Sequence, residues 1–68
     1  MEQGFKITLK AARVNAGLTL VQVAETTGKN KNTILNWEMG NTRISREDFT
    51  ELCELYAVPE SMVKEPKK

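Results

Sequence analysis

Two glycines, Gly28 and Gly40, each close a short helical stretch, and together they leave this chain few ways to fold. The first stretch opens at Thr19, whose hydroxyl can accept a hydrogen bond from a first-turn amide, and runs through Val23 and Ala24 to Thr27. Gly28 stops it, because glycine enters the left-handed conformation at no steric cost and turns the chain sharply. The second stretch opens at Asn30, another capping residue, and places Ile34, Trp37 and Glu38 at i, i+3 and i+4 on one stripe. Gly40 stops it in turn. The pattern predicts two short helices joined by a turn of about three residues.

Size narrows the rest. The chain has 68 residues, one domain's worth, and a domain of that size buries only about 60% of the surface its unfolded form exposes. With Cys53 alone there is no intrachain disulfide, and without histidine a zinc staple is not expected. Stability then has to come from helix packing or from a second subunit. No apolar run approaches the roughly 20 residues that cross a bilayer, and MEQGFKITLK lacks the apolar centre of a signal peptide. A cytoplasmic protein without membrane contact is the expectation. The net charge of +1 does not announce a polyanionic partner, but its distribution is uneven. Lys29, Lys31, Arg43 and Arg46 outweigh Glu38 to leave +3 over residues 29–46, whereas Glu47, Asp48, Glu51, Glu54 and Glu60 leave −5 over 47–60. Ordinary solvated faces carry clusters of this size, so charge alone does not decide the matter.

Residues 1–7 read as an N-terminal segment in which Phe5 and Ile7 cover an edge of the core, 8–63 as the folded domain, and 64–68 as a basic, disordered tail. Helix one starts from the cap Thr8 and runs to Gly17, with Leu9, Ala12 and Arg13 on one face. An arginine on an inward stripe is costly unless an acid meets it, and Glu38, inward on its own helix, is the natural partner; the alternative is that Arg13 reaches solvent along its aliphatic stem. After a loop, NTRI, helix four starts at Ser45, with Asp48 three residues on as a variant of the capping box. Phe49, Leu52, Cys53 and Tyr56 form its apolar stripe and Glu47, Glu51 and Glu54 its acidic back; Cys53 there is a small buried hydrophobe rather than a reactive thiol. Pro59 opens a last short helix, PESMV, from which Met62 or Val63 returns to the core.

Leu18, Thr19, Val23, Ala24, Gly28, Thr33, Ile34, Trp37, Glu38 and Gly40 stand in a register that resembles the helix-turn-helix of the lambdoid phage repressor, Cro and xenobiotic-response-element family. Arg13 stands where that family has an arginine paired with the glutamate matched by Glu38, and Phe49, Leu52 and Ala57-Val58-Pro59 resemble its fourth and fifth helices. The resemblance covers residues 8–63 and implies an all-α, compact five-helix lambda-repressor-like domain. Two departures are visible. Leu20 replaces a glutamine that in the family reaches a phosphate, and Lys29 replaces an apolar residue that covers the turn.

With Ile34 inward and about 100° per residue, Asn32 and Asn36 lie opposite it and Thr33 and Leu35 flank them. Lys31 sits in the first turn, and this motif docks by the N-terminal end of its second helix. The resemblance implies base contacts at Lys31, Asn32 and Asn36. Asparagine can bond adenine N6 and N7, lysine can donate to guanine O6 and N7, and Leu35 can cover a thymine methyl. Phosphate contacts are expected from Thr19, Lys29, Asn30, Thr33, Asn41, Thr42 and Arg43. The bland reading of each is a polar surface facing water.

The implied function is sequence-specific binding of double-stranded DNA by a transcriptional regulator of repressor type. A homodimer on a palindromic operator, its half-sites roughly 34 Å apart, is expected, with Tyr56, Val58 and Met62 as candidate dimer contacts. No cofactor, metal, small-molecule ligand or catalysis is expected, since there is no histidine and Asp48 is better used as a cap. The rival is a protein-interaction module of the same fold, an antirepressor, antitoxin or polymerase-binding protein, using Leu20 and Val21 or the acidic face of helix four.

Overall fold

The computed structural model describes residues 6–65. Four helices follow one another: α1 (Leu9–Asn15), α2 (Leu20–Thr27), α3 (Lys31–Met39) and α4 (Arg46–Leu55). Each starts on the hydroxyl or amide residue that the sequence offers as a cap. Thr8 accepts from the Ala11 amide at 3.0 Å, Asn30 from the Asn32 amide at 2.7 Å, and Ser45 from the Asp48 amide at 3.1 Å. α2 has a full capping box: Thr19 accepts from the Gln22 amide at 3.1 Å, and the Gln22 side chain accepts from the Thr19 amide at 2.8 Å. That Thr-x-x-Gln signature is legible in the sequence. At α4 only half of the expected box forms, because the Asp48 carboxylate turns elsewhere.

The stops are equally local. Gly28 and Gly40 both sit at φ 76°, the left-handed conformation that only glycine adopts without strain. α1 ends earlier than expected, at Asn15, with the turn to α2 made by Ala16 and Gly17. α4 has no glycine to end it. Ala57 takes the left-handed role at φ 58°, and the amides of Ala57 and Val58 return to the Glu54 and Cys53 carbonyls at 3.1 and 3.0 Å.

The expected fifth helix is not one: Glu60–Met62 makes a single 3-10 turn after Pro59, which stands outside it in extended conformation. A helix that short cannot recover its nucleation cost, and proline supplies no amide. The chain instead extends at Val63, which pairs in parallel with Ile7 through Ile7 N–H to Met62 O at 2.9 Å and Lys64 N–H to Ile7 O at 2.7 Å. Ile7 thus packs on the core edge as expected, while Phe5 lies outside the described residues.

One core joins all four helices. Leu9 and Ala12, Val23 and Ala24, Ile34 and Trp37, and Phe49, Leu52, Cys53 and Tyr56 are buried together with Ile44 and Val63. Ile44, assigned to a loop, is a core residue, because the loop must pass over the end of the helix pair to reach α4. Met62, half of the alternative offered for the last core residue, stays exposed. No helix among the described residues is long and apolar enough to cross a membrane.

Candidate nucleic-acid interface

α3 is fixed from three sides. It packs on α2 across the Gly28 turn, with Ile34 and Trp37 sunk into the core. Its inner end is tied to α1 by Arg13 and Glu38, which meet side-on: Nε to Oε2 at 2.7 Å and Nη2 to Oε1 at 3.2 Å. Arg13 Nη1 also donates to the Leu18 carbonyl at 3.0 Å, so one guanidinium holds α1, the start of α2 and α3. The side chains are 10% and 3% exposed, and the hydrogen bond to Glu38 outweighs burial in pushing the Arg13 pKa further up. Arg13 therefore does not run out to solvent.

The opposite face of α3 is open. Lys31 and Asn32 are exposed, and Thr33, Leu35 and Asn36 are half-buried. Asn36 has company that the sequence does not announce. The Asn41 side-chain amide donates to Asn36 Oδ1 at 3.4 Å, and the Asn41 backbone amide donates to the Asn36 carbonyl at 2.9 Å across the Gly40 stop. Thr42 and Arg43 follow, exposed on the loop. At the other end of α3, Asn30 uses its side-chain oxygen as the cap and remains exposed.

Two more of the phosphate candidates, besides Asn30 and Asn41, have intramolecular work. The Thr19 hydroxyl accepts from Gln22, and the Lys29 ammonium lies 3.6 Å from an Asp48 carboxylate oxygen. Arg46, counted with the basic cluster, pairs with Glu60 at 2.7 Å and lies 5.9 Å from the centre of the Phe49 ring. Of the four basic residues around α3, only Lys31 and Arg43 have no ion pair among the described residues. Lys31 lies at the start of α3 and Arg43 on the loop after it, both exposed.

Leu20 packs against the core edge rather than standing out as an apolar contact, leaving only Val21 exposed, at 48%. Tyr56 is 4% exposed and cannot reach a second subunit; Val58 is half-buried, and Met62, at 45%, remains available. Cys53 is buried as expected, and desolvation pushes its thiol pKa up. No group of His, Cys, Asp and Glu that could hold a metal ion is found among the described residues.

Two capped helices joined through a left-handed glycine, the second held by its inner face and open on its outer one, define the helix-turn-helix, a class whose general use is DNA binding in transcriptional regulation. Residues 7–65 match the helix-turn-helix domain family, which is found in regulators of the xenobiotic-response-element kind, and the chain belongs to that family. Neither a curated protein nor a solved structure matches the chain significantly.

Proposed function

We propose that this chain is a sequence-specific, double-stranded-DNA-binding repressor of the lambdoid phage repressor and Cro type, acting in the cytoplasm and without catalytic activity. The observation that carries the reading is the outer face of α3, where Lys31 and Asn32 stand exposed at the start of the helix and Arg43 is exposed on the loop after it, while Ile34 and Trp37 on the inner face are buried. α3 enters the major groove by its N-terminal end. Lys31 and Asn32 then meet base edges, with Asn36 and Leu35 deeper along the helix. Asn30, the first-turn amides of α3, Thr33, Asn41, Thr42 and Arg43 hold the phosphates that set register. A single module makes few contacts, so two copies on a palindromic operator are needed for useful affinity.

The test is duplex binding as a function of salt. Affinity should fall steeply from low to moderate salt, because each neutralised phosphate releases counterions. Flat or absent binding to a mixed duplex at low salt would instead favour a protein-interaction module. That rival keeps Val21 and the exposed Glu47, Glu51 and Glu54 of α4, but Leu20 is partly covered against the core edge. Selection of bound sequences from a random duplex pool would then report the operator, and a palindrome would report the dimer.

A further inference from the structure

Lys29 stands in the turn between α2 and α3, next to the Asn30 cap, where a cation would reach a phosphate. Its ammonium faces Asp48 instead, at 3.6 Å, with the two side chains 40% and 22% exposed. Asp48 is the third residue of α4, and its carboxylate does not close a capping box on the Ser45 amide; only its backbone amide is used there. The Lys29 ammonium thus meets an opposite charge across the gap to α4. Were Lys29 to swing to a phosphate, it would leave the Asp48 carboxylate uncompensated beside a polyanion. In either position the turn offers the duplex no net positive charge.

We propose that Asp48 is an affinity-limiting residue of the DNA interface: it cancels Lys29, so that the turn adds nothing to phosphate attraction and Lys31 and Arg43 carry it. The proposal rests on the DNA-binding reading above. It places a residue that lowers affinity on α4, outside the helix proposed to read bases, and it makes the turn a site where loss of one carboxylate creates a new phosphate clamp.

The experiment measures binding of the full chain to a mixed-sequence duplex over a range of salt, for wild type, Asp48→Asn, the double variant Lys29→Gln/Asp48→Asn and, as a control, Glu47→Gln. Asp48→Asn keeps the shape of the side chain and the backbone bond to Ser45. It should bind more tightly at low salt, with a log–log salt slope steeper by about 0.9, the value of one added phosphate contact. The double variant should return to the wild-type slope, because the turn is again neutral, and Glu47→Gln should leave the slope where it was. A double variant shallower than wild type by about 0.9 would mean that Lys29 already holds a phosphate, and would overturn the proposal without any reference to Asp48→Asn. So would an unchanged slope in folded Asp48→Asn, or an equal rise in Glu47→Gln, which would reduce the effect to bulk charge. Failure of the wild type to bind at low salt overturns the DNA-binding reading itself, and is distinguished by that from failure of the proposal alone.

Discussion

Arg13 and Glu38 are 25 positions apart in the chain and meet as a two-pronged ion pair, Nε to Oε2 at 2.7 Å and Nη2 to Oε1 at 3.2 Å, beneath the helix that faces outward. The pair replaces what would otherwise be a small apolar contact in a core with little to spare. Arg13→Met leaves a carboxylate that is 3% exposed without its cation. Removing one partner of a buried pair costs on the order of 3–5 kcal/mol, a large part of what a domain this small can hold. The midpoint of urea unfolding should fall accordingly, with an unchanged m-value; a midpoint that stays put would show that the pair is not a determinant of stability.

Tyr56 gives a pH dependence. Burial pushes its phenol up to about 12 from 10.0, with the Glu38 charge adding to the shift and Arg13 opposing it, and no described group hydrogen-bonds the hydroxyl. Below pH 10 the phenol is protonated in both states and its contribution is intact. Between 10 and 12 the unfolded chain loses a proton that the folded chain keeps, so stability falls with rising pH at up to about 1.4 kcal/mol per unit. Tyr56→Phe should remove that loss and leave neutral-pH stability equal or slightly higher, since it deletes an unpartnered buried hydroxyl. Thermal unfolding of both proteins from pH 9 to 11.5 reads the difference directly.

The two kinds of helix stop should respond oppositely. A Cβ at Gly28 would meet nothing within 4 Å, so Gly28→Ala carries the left-handed backbone penalty of about 1–2 kcal/mol, partly offset by the stiffer unfolded chain, for a net loss of about 0.5–1 kcal/mol. Ala57, already at φ 58°, carries that penalty in the native chain. Ala57→Gly should relieve it, and after the added flexibility of the unfolded chain a net gain of about 0.5–1 kcal/mol remains. Differential scanning calorimetry on the two variants should show melting temperatures moving in opposite directions.

Base preference should divide between Asn32 and Asn36. Among the described residues the Asn32 side chain has no hydrogen-bond partner, so it can offer donor and acceptor together, and Asn32→Ala is expected to cost about 1–3 kcal/mol on the selected site and to relax one base pair. Asn36 has its oxygen turned toward Asn41, which leaves its amide hydrogens leading. It should therefore favour a base edge that accepts, guanine or thymine, rather than adenine, and Asn41→Ala should weaken that preference. Sequence selection with the wild type and the two variants would show it; adenine opposite Asn36 in the wild-type site would contradict the arrangement.

Most of the architecture was legible because its signals are local. Thr8, Thr19, Asn30 and Ser45 cap because their side chains reach amides two or three residues away, and Gly28 and Gly40 stop because a conformation is or is not strained at one residue. Periodicity located the inward faces of α1, α3 and α4 for the same reason. The Arg13–Glu38 pair was reachable too, since a charge on an inward stripe demands an opposite one and Glu38 also lies on an inward stripe.

What tertiary structure alone decided is where side chains with several possible partners went. Lys29 had phosphate, solvent and five acids of α4 and the following turn open to it, and only the packing of α4 against the turn selected Asp48. Leu20 could stand out or fold in, and the core edge took it; Ile44 became core because of the path the loop must follow. The last segment turned from helix to extended chain because Ile7, distant in sequence, offered it two backbone hydrogen bonds. Local rules fix each element by the residues within one turn of it. Contacts between elements depend on distances that no single stretch contains, and those distances determine which charges around α3 remain free.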